Sequence, residues 1–127
     1  MPTPEVTKAI CILDDDLSVL NSLHELLESD GFDSETFDKP EKFIAYAQEH
    51  PVKVVVLDVW MPNTNGIEVQ ELLRELSPTT RVIMITGREV AAVRVEALKG
   101  GASAFLVKPF GDEVFLTAVR EALGEAL

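Results

Sequence analysis

Short apolar runs alternate five times with longer amphipathic segments along this chain of 127 residues, and no linker or repeat interrupts the pattern. The apolar runs are too short for helices, which predicts β-strands at residues 9–13, 33–37, 52–57, 81–86 and 104–107. Apolar residues at helical spacing predict helices over residues 18–29, 38–50, 67–76, 89–99 and 112–123. Five strand–helix units predict an α/β fold with an open, mostly parallel sheet, helices on both faces and right-handed crossovers.

The length of the chain limits the number of domains and the possible strand orders. It suits one hydrophobic core, so we expect a single domain over residues 1–127, without an attached effector domain. Two open strand orders are common, and the length favours the five-stranded order 2-1-3-4-5 of the doubly wound, flavodoxin-like fold. The run at residues 52–57 is almost continuously β-branched, which indicates a strand buried on both faces.

Polar residues and glycines mark the predicted helix ends. Gly31 is expected to stop the first helix, and Gly100-Gly101 the fourth. The predicted starts are Asp16 or Ser18 for the first helix, the capping box Asp38-Lys39-Pro40-Glu41 for the second, and Asp112 for the fifth.

The charge excludes several classes of partner. The chain has 22 Asp and Glu against 11 Lys and Arg, a formal net charge of −11. Such a surface repels nucleic acid phosphates and anionic lipid, so we expect no direct nucleic acid binding and no membrane binding. A single cysteine, Cys11, indicates a reducing compartment. Residues 1–8 lack the features of a signal peptide, so we expect a cytoplasmic location.

Segments with polar residues end or follow four of the five predicted strands. They are Asp14-Asp15-Asp16, Asp58, Thr86-Gly87 and Lys108-Pro109-Phe110. Taken singly they fit a solvated turn, a common strand end and a surface lysine. In the predicted sheet, however, these strand ends are neighbours and share one crevice. Clustered carboxylates repel each other unless a cation joins them, and Mg²⁺ needs only one or two carboxylates.

A lysine ammonium and a threonine hydroxyl can both hold a phosphoryl oxygen. Together with Mg²⁺ they predict an electrostatic cradle for a phosphoryl group whose acceptor is a carboxylate.

These residues resemble the receiver domain of two-component response regulators over essentially the whole chain. The resemblance rests on four motifs in register with the five strand–helix units. They are Asp14-Asp15, Asp58-x-x-Met61-Pro62-x-x-Asn65-Gly66, Thr86 and Lys108-Pro109-Phe110.

The resemblance implies a signalling switch that catalyses only its own phosphorylation and dephosphorylation. It implies Asp58 as the phosphoacceptor, and a sensor histidine kinase or phosphotransfer protein as the partner. The implied Mg²⁺ ligands are Asp15, Asp58 and the backbone carbonyl of Trp60, with Asp14 acting through water. Lys108 would pair with Asp58 and then with a phosphoryl oxygen, Thr86 and Phe105 would be the switch residues, and Lys108-Pro109 would be a cis peptide.

Some positions depart from the commonest family pattern. Leu17 replaces a frequent proline, with little expected effect. Trp60 and Arg88 could overhang the site, and we hypothesise that they restrict the attacking water and prolong the phosphorylated state. The simpler alternative for Trp60 is a half-exposed ring that covers its loop. Gly87 leaves room for a small acyl phosphate donor.

The resemblance also implies that phosphorylation changes the face formed by the fourth helix, the fifth strand and the fifth helix (the α4-β5-α5 face). Val90, Val93, Ala97 and Leu98 of the fourth helix are predicted to face the core. Ala91 and Val95 then point outward, which suits phospho-dependent homodimerisation.

Two other functions stay open. Asp14-x-Asp16 after a strand also resembles haloacid-dehalogenase-like phosphatases, in which Asp14 would be the nucleophile, but that leaves Asp58 and Met61-Pro62 unexplained. A pseudo-receiver that acts only as an interaction module would not need the full acidic set with Thr86 and Lys108. Nucleotide binding is not expected, because the glycine-rich phosphate loops are absent from the sequence.

Overall fold

Five parallel strands form one sheet in the computed structural model, which describes residues 9–124. The strands are β1 (Ile10–Leu13), β2 (Ser34–Phe37), β3 (Val54–Asp58), β4 (Arg81–Thr86) and β5 (Ala104–Val107). Their order is β2-β1-β3-β4-β5, and every neighbouring pair is parallel. This confirms the predicted flavodoxin-like order. Residues 1–8, where no signal peptide is predicted, lie outside the described residues.

Each strand is followed by one helix: α1 (Leu17–Ser29), α2 (Pro40–Glu49), α3 (Gly66–Leu76), α4 (Ala91–Lys99) and α5 (Asp112–Leu123). In the loop between β3 and α3, Trp60–Met61 pairs antiparallel with Thr64–Asn65, a short hairpin that the sequence pattern does not predict. None of the helices in the described part of the chain has the length and apolar character needed to cross a bilayer.

The two faces of the sheet carry separate apolar cores. On one face, strand residues such as Leu57 and Met84 pack with Phe43 of α2, Leu73 of α3 and Ala97 of α4. The other face is covered by α1 and α5, and its core includes Ile12, Val56, Leu27 and Phe115. All five residues of β3 are buried, as expected for a central strand covered on both sides.

The predicted caps are right for α1 and wrong for α2 and α5. Asp16 is the N-cap of α1 and accepts the backbone N–H of Ser18 at 2.9 Å. Helix α2 begins at Pro40, so Lys39 is its N-cap, because the fixed φ of proline suits the first helical position. The N-cap of α5 is Gly111, and Asp112 lies in the first turn of the helix. There its carboxylate interacts favourably with the helix dipole but does not cap the helix.

Helix α4 buries less than its sequence predicts. Ala97 is fully buried and Val93 packs against the core, but Leu98 is 46% exposed, so its predicted inward position is wrong. The reason is geometric: Leu98 lies about 100° around the helix from Ala97, and this nine-residue helix covers only one side of the sheet near its edge. Val95 is 50% exposed, in agreement with its predicted outward position.

Candidate functional site

Three carboxylates meet at the carboxyl end of the sheet. Asp14 and Asp15 follow β1, Asp58 is the last residue of β3, and the two strands are neighbours in register. One carboxylate oxygen from each of the three residues lies within 4.8 Å of the others. Asp14 and Asp58 are buried, whereas Asp15 is exposed at the mouth. The strand topology thus brings together the acids that the sequence places far apart.

Lys108 follows β5 and supplies a cation to this cluster. Its Nζ donates to Asp14 Oδ2 at 3.0 Å and lies 3.6 Å from Asp58 Oδ1, so the ammonium is shared and its shorter contact is with Asp14. The Lys108–Pro109 peptide is cis, and the Lys108 backbone N–H donates to the carbonyl of Thr86 at 2.7 Å. The other carboxylate oxygen of Asp14 accepts the backbone N–H of Asp16 at 2.9 Å.

The electrostatics of the cluster favour an additional cation. Burial, followed by the neighbouring Asp14 carboxylate, raises the pKa of Asp58 to about 7, although Lys108 opposes the shift. Burial alone would lower the pKa of Lys108, but its hydrogen bond to Asp14 and the charge of Asp58 raise it overall. The three carboxyl groups form an all-oxygen donor set, and one shared ammonium offsets only part of their charge. Such a donor set fits a hard divalent cation such as Mg²⁺.

Trp60 and Arg88 form the rim of the cavity above the acids. The cavity holds about 380 Å³ and is lined by Asp14, Asp15, Asp16, Asp58, Trp60, Gly87, Arg88 and Lys108. Trp60 is 39% exposed, and the guanidinium carbon of Arg88 lies 5.5 Å from the centre of its ring. The indole N–H of Trp60 also donates to the backbone carbonyl of Arg88 at 3.2 Å.

The hydroxyl of Thr86 bonds to the loop that follows β4. Thr86 is buried, its hydroxyl donates to the carbonyl of Arg88 at 2.7 Å, and it accepts the Arg88 backbone N–H at 3.0 Å. The Arg88 carbonyl therefore accepts from both Thr86 and Trp60. Sequence reasoning missed this shared acceptor, and no signal could have indicated it, because every residue has a backbone carbonyl.

Gly66 is required by the close approach of two backbone segments beside Asp58. A Cβ at this position would lie 2.8 Å from the carbonyl oxygen of Asp58 and 3.1 Å from Met84 Sδ. Asn65 caps α3 by accepting the backbone N–H of Glu68 at 3.1 Å. The Asn-Gly pair thus starts α3 and holds it against the end of β3. At Gly87, by contrast, a Cβ would meet only Lys108 Cδ, at 4.0 Å.

Phe105, the predicted switch aromatic, lies on β5 away from the acidic cluster. Its ring is 7% exposed and belongs to the same core cluster as Met84 and Ala97. The guanidinium carbon of Arg94 lies 4.9 Å from the ring centre, a second contact that sequence reasoning missed.

Known proteins are similar to this chain in sequence. Residues 10–120 match the model of the response regulator receiver domain. The response regulator protein TodT of Pseudomonas putida is 39% identical over 114 residues, which are 90% of this chain and 50% of TodT. The chain therefore spans about half the length of this curated relative.

Solved structures give the same result. The beryllofluoride-activated NtrC4 receiver domain dimer is 36% identical with a TM-score of 0.88, over 93% of this chain and 98% of that one. A CheY-like receiver domain from Methanospirillum hungatei JF-1 is 29% identical with a TM-score of 0.87, over 93% and 94% of the two chains.

Proposed function

The chain belongs to the response regulator receiver domain family, and on that premise we propose that it is a signalling switch that accepts a phosphoryl group on Asp58. The observation that carries the proposal is the buried carboxylate of Asp58, which lies with Asp14, Asp15 and Lys108 in one open cavity. Asp58 ends β3, Asp14 and Asp15 follow the neighbouring strand β1, and Lys108 follows β5 at the same edge of the sheet.

Asp15, Asp58 and the backbone carbonyl of Trp60 are the proposed ligands of Mg²⁺, with Asp14 acting through a water molecule. The support is the all-oxygen cluster and its excess of negative charge. When bound, Mg²⁺ supplies positive charge that offsets the carboxylates and the incoming phosphoryl oxygens.

The proposed reaction is an in-line transfer to a carboxylate oxygen of Asp58. That oxygen forms a bond to phosphorus, the bond from phosphorus to the donor breaks, and the donor leaves with its electron pair. Lys108 is placed to hold a phosphoryl oxygen, since its Nζ lies 3.6 Å from Asp58 Oδ1. The hydroxyl of Thr86 would exchange the carbonyl of Arg88 for a phosphoryl oxygen. The packing of Phe105 against the core would respond.

The structure favours Asp58 over Asp14 as the acceptor. Asp14 is fully buried, one of its oxygens is held by Asp16 and the other by Lys108. A haloacid-dehalogenase-like phosphatase would need Asp14 as a free nucleophile. A pseudo-receiver that acts only as an interaction module would not need the buried carboxylates of Asp14 and Asp58, which repel each other.

The test is to trap the acyl phosphate. The chain is incubated with a small acyl phosphate and Mg²⁺, reduced with borohydride, digested and sequenced by mass spectrometry. We expect one modified residue, Asp58, and none when EDTA replaces Mg²⁺. Modification of Asp14 would support the phosphatase instead, and the absence of any Mg²⁺-dependent modification would support the pseudo-receiver.

Histidine kinases or phosphotransfer proteins are the proposed donors, because receiver domains of response regulators interact with them. The α4-β5-α5 face is the proposed surface for a phospho-dependent homodimer. Val95 and Leu98 of α4 and Val114 of α5 are exposed there. Dimerisation would bury part of this apolar surface.

We further propose that Trp60 and Arg88 slow dephosphorylation by limiting the approach of water to Asp58. The two side chains contact each other at the rim of the cavity. Trp60→Ala and Arg88→Ala are each expected to shorten the lifetime of the phosphorylated protein about two- to tenfold, the range for loss of one contact of about 0.5–1.4 kcal/mol. The measurement is the decay of phosphorylated protein on a phosphate-affinity gel after the donor is removed. Arg74→Ala, an exposed arginine on α3, is the control; unchanged decay in both rim variants would refute the role.

A further inference from the structure

The ring of Phe105 is covered by a charged side chain. Phe105 packs into the core with Met84 and Ala97, and its exposed fraction is 7%. Arg94 of α4 has its guanidinium carbon 4.9 Å from the ring centre, within cation–π distance. The Arg94 side chain is 41% exposed, so it is the solvent-accessible member of this contact.

Glu89 holds Arg94 in this position. Arg94 Nε donates to Glu89 Oε1 at 2.9 Å. Glu89 lies before the N-cap of α4, so the ion pair joins the loop to the helix. An arginine near the N-terminal end of a helix is unfavourable for the helix dipole, and the first turn of α4 has no acidic residue. The helix dipole therefore gives no reason for an arginine at position 94. The contacts of Arg94 with Glu89 and Phe105 do give one.

Apart from Val93, which packs against the core, the N-terminal half of α4 has few contacts that would hold it. Its N-cap, Val90, makes no side-chain capping hydrogen bond, and Ala97 is the one buried residue of the helix. The C-terminal half is fixed by Gln70, whose Nε2 donates to the carbonyl of Ala97 at 3.0 Å. A segment with little buried apolar surface opens more easily than the rest of a fold. The contacts of Arg94 therefore contribute a larger share of the local stability here than they would in a well-packed helix.

The same loop is bonded to the candidate site. The carbonyl of Arg88 accepts from the hydroxyl of Thr86 and from the indole of Trp60, and the next residue is Glu89. Consecutive residues of this loop therefore contact the rim of the acidic cavity and the arginine that covers Phe105. Movement of the Arg88 carbonyl displaces Glu89 through one peptide unit.

We propose that Arg94, fixed by Glu89, is a positioning residue that holds the Phe105 ring buried, and that the proposed link between Thr86 and Phe105 depends on this ion pair through residues 87–90. The coupling rests on the proposed function, because its trigger is a phosphoryl oxygen at Asp58 that competes with the Arg88 carbonyl for that hydroxyl. The holding of the ring does not depend on that trigger.

The ring can be observed directly by fluorine NMR. The protein is produced with 4-fluorophenylalanine at its six phenylalanines, and the Phe105 resonance is assigned from its loss in Phe105→Leu. Solvent exposure of each ring is read from line broadening by a dissolved gadolinium chelate. Arg94→Ala is expected to raise the exposed population of Phe105 about two- to fivefold, the size of effect for a cation–π contact at the surface.

Matched variants separate a specific role from a general loss of packing. Arg94→Lys keeps the positive charge and should restore part of the protection, while Glu89→Gln should expose the ring less than Arg94→Ala. Arg74→Ala on α3 should leave Phe105 unchanged, and the other five fluorine resonances should keep their protection in every variant. Wild-type protection of Phe105 in Arg94→Ala would overturn the holding role. If Arg94→Ala does not fold, the Glu89→Gln variant provides the test. Wild-type protection of Phe105 in Glu89→Gln would then overturn the proposal.

The coupling is tested by adding beryllofluoride with Mg²⁺ to saturation, with the amide resonance of Gly87 as the readout of occupancy. In the wild type we expect the Phe105 fluorine resonance to shift on addition. In Arg94→Ala we expect less than half of that shift at full occupancy. An equal shift in the two proteins would overturn the coupling. No change at Gly87 in the wild type would instead count against the proposed function, and the protection data would still decide the role of Arg94.

Discussion

Replacing Asp58 with asparagine is expected to abolish phosphoryl uptake from a small acyl phosphate. The carboxylate oxygen is the proposed nucleophile, and the amide that replaces it is neutral and far less nucleophilic. Uptake is measured on a phosphate-affinity gel in the presence of Mg²⁺. Asp38→Asn is the matched control, because Asp38 lies outside the acidic cluster and its side chain is 41% exposed. Uptake by Asp58→Asn at the wild-type rate would show that another residue is the acceptor.

The same substitution should stabilise the fold in EDTA. Burial and Asp14 raise the pKa of Asp58 from 3.8 to about 7, so ionising this group destabilises the folded state. Because the folded pKa is the higher one, the penalty is absent below about pH 4, grows as pH rises, and is complete above about pH 7. Asp58→Asn should therefore unfold at a higher temperature than the wild type at pH 8 and show little difference at pH 4.

Thermal unfolding followed by circular dichroism at the two pH values measures this difference. Saturating Mg²⁺ should raise the unfolding temperature of the wild type more than that of the variant, because bound metal stabilises the native state by mass action. A variant that is less stable than the wild type at pH 8 in EDTA would contradict the repulsion on which the argument depends.

Replacing Lys108 with methionine should also impair phosphoryl uptake, but with the opposite effect on stability. Loss of one charged donor to a transition-state oxygen typically slows a reaction about 10²- to 10³-fold, and we expect a decrease of that size. In EDTA the variant leaves Asp14 and Asp58 without their shared cation. Breaking a buried ion pair costs about 3–5 kcal/mol, and the cost here should be smaller because the Lys108 side chain is 25% exposed.

Urea unfolding in EDTA measures this loss, and Lys53→Met, at an exposed lysine, is the control. The double variant Asp58→Asn/Lys108→Met should lose less stability than Lys108→Met alone, because one of the two unpaired carboxylates is then neutral. Wild-type stability of Lys108→Met would indicate that the ammonium does not offset the charge of the buried acids.

The strand pattern predicted which charged side chains lie close together at the carboxyl edge of the sheet. Asp14, Asp58 and Lys108 were expected to converge only because each follows or ends an apolar run, and strands one, three and five lie near each other in a doubly wound sheet. The capping box at Asp38 was wrong by one residue because Pro40 starts the helix. Local signals identify a helix start within a residue or two, and the choice between neighbours depends on the path of the preceding loop.

Outside the acidic cluster, individual side-chain contacts between elements could not be predicted. Trp60 reaches the carbonyl of Arg88, 28 residues away, and Arg94 covers Phe105. Periodicity indicates which side of a helix is apolar, but it does not say which side chain of a neighbouring element lies opposite. Leu98 illustrates the same limit, since its exposure depends on how far α4 extends over the sheet.

The sequence by itself determined the strand–helix alternation, the buried central strand and the set of charged residues at the strand ends, because apolar periodicity and strand ends are local properties of the chain. The sheet order followed from the number of strands and the length of the chain. Only the tertiary structure decided that Lys108 is shared between Asp14 and Asp58, that the Thr86 hydroxyl is bonded to Arg88, and that Phe105 lies beneath Arg94. These pairings depend on distances of a few ångströms between segments far apart in the chain, which are set by packing.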